Sequence, residues 1–215
     1  MNFHIEKEST KLLFLLLLAD FAFMFVHGIY TVDLLTNDIY SIDTDGGYAE
    51  IFQYIKEFWI VVLLFVLAIR RRHTLYFAWA TLFMYFLLDD SMKIHESLGA
   101  NFVNYFDFKP MFQLRAQDFG ELSVSILFGF FLFTFIGVSY LFSDNIAKRI
   151  SKHLFVLVIS VAFFGVIVDM LHTIIPWGKS LFGFIEDGGE MLVMSIIVWY
   201  VFDFRINPVN HANVR

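Results

Sequence analysis

Long apolar runs alternate with short polar joints along this chain, and none of the runs shows the period-two alternation of a membrane β-barrel strand. The apolar stretches lie at about 11–34, 51–69, 74–96, 121–142, 153–175 and 181–204. Each is close to the ~20 residues that a helix rising ~1.5 Å per residue needs to cross ~30 Å of hydrocarbon. The pattern predicts an all-α polytopic membrane protein, with six transmembrane helices in one bundle and residues 1–215 as a single domain. The first run reads as a span and not a cleavable signal, because its apolar core is long and no small-residue cleavage site follows it.

Composition agrees with that class. The 215 residues are 59% hydrophobic and 20% aromatic, with 3 prolines and no cysteine, and the mean hydropathy is +0.69. The missing cysteines exclude a disulfide framework or a thiolate metal site. With no basic stripe interleaved with aromatics, nucleic acid is not an expected partner. Membrane lipids are, along with further copies of the chain or the subunits of a larger membrane complex.

Lys and Arg set the orientation. With the N-terminus inside, Lys7, Lys11, Arg70, Arg71, Arg72, Lys148, Arg149, Lys152, Arg205 and Arg215 all fall on the cytoplasmic side. Lys56, Lys93, Lys109, Arg115 and Lys179 lie toward the other face. The positive-inside rule then puts both termini in the cytoplasm, in a multi-pass protein of a cell's inner (plasma) membrane.

Polar groups inside the runs change the picture. Asp20, His27, Glu57, Asp89, Asp90, His95, Glu96, Glu121, Asp169, His172, Glu186, Asp187 and Glu190 interrupt segments of Phe, Leu, Ile and Val. A charge at membrane depth costs at least ~2.5–3.5 kcal/mol and usually marks a site or a pathway. In the assigned orientation nearly all of these groups sit late in outward-running helices or early in inward-running ones, so they share a level near the outer surface. Asp20 is deeper, one heptad before His27 and on the same face.

Spacing adds detail. Asp169 and His172 are i, i+3 and Glu186 and Glu190 are i, i+4, so each pair shares a helix face. Glu50 and Glu57 are seven apart with Tyr54 between them. Asp89, Lys93 and Glu96 form one stripe, which makes Lys93 the expected neutraliser of one or both carboxylates. His95 falls on another face with Ser91, and Asp90 joins neither stripe. Taken singly, Asp90, Asp118 and Asp187 read as helix-end residues in the wet interface, His27 as a hydrogen-bonded core histidine, and Glu121 as an acid favoured in a first helical turn. The run Asp43-Thr44-Asp45-Gly46 opens like a calcium loop but lacks its full spacing, and reads as a turn. The aromatic-rich stretch from Gly99 to Gly120 reads as an outer loop anchored at the interface.

Imidazole and carboxylate without thiolate suit zinc, iron or manganese. Asp89, His95, Glu121, Asp169, His172 and Glu190 are the candidate metal ligands. Glu96 and Glu186 are the candidate catalytic acids and bases for attack by a metal-bound water. Carboxylate di-metal bundles pair two Glu-x-x-His segments, whereas this chain has one acid-x-x-His, at Asp169 and His172.

The stretch Leu88-Asp89-Asp90-Ser91-Met92-Lys93-Ile94-His95-Glu96, with Glu186-Asp187-Gly188-Gly189-Glu190, resembles segments of uncharacterised multi-pass prokaryotic membrane proteins that carry a DD-x4-HE motif. That resemblance implies a prokaryotic setting and no particular activity. The seven-helix hydrolase superfamily of alkaline ceramidases and adiponectin-type receptors offers only a chemical analogy. Its last-helix His-x-x-x-His pair is absent here.

Three functions follow as expectations. One is a membrane-embedded metal-dependent hydrolase acting near the outer leaflet on lipid or a small apolar substrate. The second is a cation or proton channel or transporter in which Asp20, His27 and Glu57 extend the acidic cluster inward. The third is a structural or sensory subunit of a larger membrane complex.

Overall fold

The computed structural model describes residues 7–111, 114–175 and 179–206, and of residues 7, 172, 173, 179, 180 and 206 the backbone only. The described chain is almost entirely helical, as the apolar patterning requires. Its elements are α1 (Lys7–Thr31), a 3-10 turn (Asp38–Tyr40), α2 (Tyr48–Arg71), α3 (Thr74–Met92), α4 (Ile94–Phe106), α5 (Ala116–Leu141), α6 (Asn145–Ala162), a π-helical turn (Phe163–Val168), α7 (Asp169–Ile174) and α8 (Lys179–Ile206). The α6, π and α7 segments follow one another without a break, so they form a single rod.

Among the described residues, four helices are long and apolar enough to cross a membrane: Glu8–Thr31, Tyr48–Arg71, Ala116–Leu141 and Asn145–Leu171. They turn large apolar side chains outward, among them Phe25, Phe130, Phe131 and Val156. A soluble monomer seldom exposes such continuous apolar surface. The protein is therefore read as a membrane protein.

Helices α3 and α8 supply much of the core. Leu75, Ala78, Trp79 and Phe83 of α3 are fully enclosed, as is Ile197 of α8, and Met194 and Val201 of α8 nearly so. They pack against Ile60, Leu64 and Leu67 of α2 and Leu154 of α6. Lipid is as apolar as leucine, so tight packing and internal hydrogen bonds hold such helices together. Two polar ties cross this core: Trp79 Nε1 donates to Ser151 Oγ at 2.9 Å, and His153 Nδ1 lies 2.8 Å from the Tyr200 hydroxyl.

Several boundaries differ from the sequence expectation, most consequentially those from α3 to α5. The third helix stops at Met92 and not at 96, because Lys93 adopts a left-handed conformation (φ 51°). His95 and Glu96 therefore belong to α4. The stretch expected to be a loop from Gly99 contains that helix, which crosses α5 so closely that backbone meets backbone. A Cβ at Gly120 would overlap the Gly99 carbonyl, and one at Gly99 would come within 2.8 Å of Glu121 N. Finally, α5 starts at Ala116, where Asp118 accepts from Arg115 N at 2.7 Å and from its guanidinium at 2.6 and 2.9 Å.

Candidate functional site

At the end of the bundle where α3 meets α4, a cavity of about 190 Å³ opens between three elements. Helix α2 contributes Glu50 and Gln53, the α3–α4 corner Asp90, His95 and Glu96, and α8 Asp187 and Glu190. Helical periodicity explains the composition. Glu50, Gln53 and Glu57 are spaced i, i+3, i+7 along one stripe of α2, and Asp187 and Glu190 are i, i+3 on α8.

The rim is tied by ion pairs. The Lys93 ammonium contacts Asp45 across the mouth and lies 3.8 Å from Glu96. The hydrogen bond to Asp45 holds the Lys93 ammonium above its ordinary pKa. Asp89 turns away from this lysine. Its Oδ1 accepts the His95 backbone N–H at 2.8 Å and its Oδ2 lies 3.1 Å from His95 Nδ1. That carboxylate closes the α3–α4 corner and raises the His95 pKa, chiefly through the side-chain hydrogen bond and against some loss of solvation. Below the corner, Gln117 Nε2 donates to the Glu96 carbonyl at 2.9 Å and to Glu121 Oε1 at 2.8 Å. On the α2 side, Gly46 (φ 71°) shapes the turn and its N–H donates to Glu50.

Deeper in, the character of the groups changes. Glu57 is 1% exposed, and neither of its carboxyl oxygens has a hydrogen-bond partner. Gln53 Oε1 is likewise enclosed without a partner, although Gln53 lines the cavity. The Asp90 carboxyl lies close enough to Glu57 that a proton held by either would bridge the two, and Glu190 also acts on Glu57 electrostatically. The Tyr54 hydroxyl donates to the Asp90 carbonyl at 3.1 Å.

One turn away, Lys56 is completely enclosed and fully satisfied. Its Nζ donates to Asp20 Oδ1 at 3.0 Å, to the Met191 carbonyl at 2.8 Å and to Ser195 Oγ at 3.4 Å. It also lies 5.0 Å from the Phe52 ring centroid. The Ser195 hydroxyl donates to Asp20 Oδ2 at 2.5 Å. This closed polar knot joins α1, α2 and α8. Beyond it toward the other end of the bundle lie Leu16, Ile60, Leu64 and Val198, all of them core.

The expected site residues separate into groups. His95, Glu96 and Glu190 share the cavity wall, with Glu57 beneath it. Asp89 stands behind His95 and Glu121 is held by Gln117 on α5. Asp169 and Glu186 act electrostatically on Glu190 without lining the cavity. The His172 side chain lies outside the described residues. Asp20 and His27 do not form one pathway face: Asp20 turns to Lys56, while His27 Nδ1 faces the 40s loop, 2.9 Å from Ser41 Oγ and 3.2 Å from the Ile42 N–H that it accepts. His27 also stacks on Phe184. Of the two stripe carboxylates Lys93 pairs with Glu96, while Asp89 is taken up by the His95 ring and backbone N–H across the left-handed Lys93. Among the described residues no three His, Asp or Glu side chains form a group able to hold a metal ion.

Several site residues were absent from the sequence candidates: Lys56, Gln53, Ser195 and the wall acids Asp90 and Asp187. Lys56 carried a usable signal, being a cation well inside an apolar run. Gln53 carried only its place on the Glu50–Glu57 stripe.

A family model matches residues 11–206, nearly the whole described chain, and the protein belongs to that family, described as a domain of unknown function (DUF8692). No curated protein and no solved structure matches the chain.

Proposed function

We propose that this protein conducts protons or small cations into the membrane from its non-cytoplasmic face, using the acidic cavity as an entry vestibule and Glu57 as the first buried acceptor. On this reading α1, α2, α3, α5, the α6–α7 rod and α8 all cross the bilayer, with α4 resting on the outer surface. The distribution of Lys and Arg supports cytoplasmic termini.

The observation that carries the proposal is the Glu57 carboxyl, buried one helical turn from the cavity-lining Gln53 and beside the cavity-lining Asp90, with no N–H or hydroxyl of the described chain donating to either oxygen. An ionised carboxylate in that state is costly. A proton or an arriving cation removes the cost, and Asp90 and Glu190 offer intermediate acceptors on the way in. The Lys56–Asp20–Ser195 knot ends the polar route, and the apolar core beyond it closes the path in this conformation. Passage to the cytoplasm then requires a rearrangement in which Asp20 exchanges Lys56 for the incoming charge. The π turn facing α8 is a suitable place for movement, since such turns weaken the regular helical ladder. A membrane metal hydrolase gains less support, because its candidate ligands divide between the α3–α4 corner, α5 and α8.

The test is proton flux into liposomes holding the purified chain and a trapped pH-sensitive dye, driven by a potassium diffusion potential. Wild-type protein is expected to acidify the lumen well above protein-free liposomes, and Glu57→Gln to reduce that flux about tenfold or more. Wild-type flux at the protein-free level, or unchanged flux in Glu57→Gln, would overturn the proposal.

A further inference from the structure

Three fully buried side-chain atoms of α2 receive no hydrogen bond from the described chain, and all are acceptors: Gln53 Oε1 and the two oxygens of Glu57. Gln53 and Glu57 are i, i+4, so they stand about 5–6 Å apart on one helix face. Gln53 is 7% exposed and lines the cavity. The walls add carboxylates from α3, α4 and α8, giving negative potential with no donor aimed at these three atoms. A spherical cation would satisfy the charge alone. A group carrying three N–H donors would satisfy the charge and the acceptors together.

The chain contains a worked example of such a seat one residue away. The Lys56 ammonium is stable at complete burial because Asp20, Met191 and Ser195 each present an oxygen to it. Gln53 and Glu57 offer the same number of acceptor oxygens, and no N–H or hydroxyl of the described chain donates to them. We infer that the cavity binds a small primary ammonium compound, its –NH3⁺ group seated between Gln53 and Glu57. The cavity volume of about 190 Å³ is below the ~300–1,000 Å³ typical of larger organic ligands, so the cation is one of few heavy atoms. A diammonium compound would also place its second charge among Glu50, Glu96 and Asp187 nearer the mouth. This rests on the cation-entry reading above and narrows the cation it admits.

The experiment is calorimetric titration of the full chain in detergent with 1,4-diaminobutane, methylammonium, tetramethylammonium and potassium as chlorides. The two primary ammonium compounds are expected to bind saturably. Tetramethylammonium, equal in charge to methylammonium but without N–H, should bind at least about tenfold more weakly, the scale of one charge-assisted hydrogen bond. Potassium should behave similarly. Gln53→Leu and Glu57→Gln should each weaken 1,4-diaminobutane binding about tenfold while leaving the unliganded melting temperature near wild type. Equal binding of tetramethylammonium, or primary ammonium binding unchanged in both variants, would overturn the donor argument. Proton flux that persists through Glu57 while no ammonium compound binds would overturn this inference and leave the entry reading standing. Loss of both would remove the two together.

Discussion

Around Trp79 the half of the bundle away from the cavity, called the inner half on the orientation proposed above, is filled by enclosed side chains, with Leu75, Phe83, Leu154 and Ile197 each 0% exposed. Its buried polar atoms are mostly paired, Trp79 with Ser151 and His153 with Tyr200. Trp199 Nε1 is an exception there, and the Tyr85 hydroxyl is another one further along α3. In the half that holds the cavity, the outer half, α2 continues with the same helical geometry but turns Glu50 and Gln53 toward the cavity, and with Glu57 leaves three buried acceptor atoms without an N–H or hydroxyl donor. One helix thus serves two environments, with Ile60 and Leu64 on its inner turns and acids on its outer ones. The contrast teaches where selection acted on something besides stability. Lipid offers no water to satisfy a stray acceptor, so a row of them on one stripe indicates a ligand or a proton, whereas a single indole N–H does not.

The Lys56–Asp20–Ser195 knot is the seam between these halves, and breaking it should have the largest effect. Lys56→Met leaves Asp20 buried with its hydroxyl partner alone. Removing one member of a buried pair typically costs about 3–5 kcal/mol. Adding Asp20→Asn removes the stranded charge, and the double variant should regain most of the lost stability. Reversible unfolding in mixed micelles measures both. If the single and double variants are equally unstable, Lys56 acts by its packing and the seam is not electrostatic.

Gly120→Ala tests the roof of the outer half and should come next in size. The new Cβ would meet the Gly99 carbonyl backbone, which cannot yield as a side chain can. Overpacking of this kind costs about 1–3 kcal/mol, and here the strain falls on the α4–α5 crossing. Hydrogen exchange should therefore speed up across Ile94–Phe106 while the Trp79 core stays protected. Uniform destabilisation would show that the halves unfold as one unit.

The sequence reveals the spans and hides the corner. Long apolar runs locate the helices, four of them apolar and long enough among the described residues to cross a membrane, because an apolar stretch must face either the core or lipid along its length. Nothing in Ser91-Met92-Lys93-Ile94 announces a helix break, since no Gly or Pro is present. The break is held by Asp89, which bonds the His95 backbone and ring, a tertiary effect invisible to local pattern. The aromatic positions Phe102, Tyr105 and Phe106 did carry the i, i+3, i+4 spacing of α4. The Asp20–Lys56 pair was hidden for a different reason: sequence gives the level of a residue in a span but not the rotation of one helix against another. Asp90 and Asp187, which look like helix-end acids in isolation, line the cavity only because α3 and α8 face each other across α2.

The smallest expected effect concerns pH at the rim. His95 gains the Asp89 carboxylate on folding, so its pKa in the folded protein lies above the ordinary value of 6.5. A raised histidine stabilises the folded form most when both states are protonated, hence fully below about pH 6.5, and this contribution is lost as pH rises through the folded value. Glu96, Glu121 and Lys93 also face this corner. The acids favour the charged imidazole, so they widen the window, and Lys93 is occupied by Asp45 and Glu96. The backbone bond from His95 N to Asp89 survives at every pH, so α4 should loosen without detaching. Hydrogen exchange over Ile94–Phe106, corrected for intrinsic pH dependence, should accelerate modestly from pH 6 to pH 9, and His95→Gln should flatten that dependence. Because His95 is about one-third exposed at the side chain, the change should be a fraction of that in Gly120→Ala. A pH response spread equally over the Trp79 core would mean that the rim and the inner half are coupled, and that the seam at Lys56 transmits what the outer half senses.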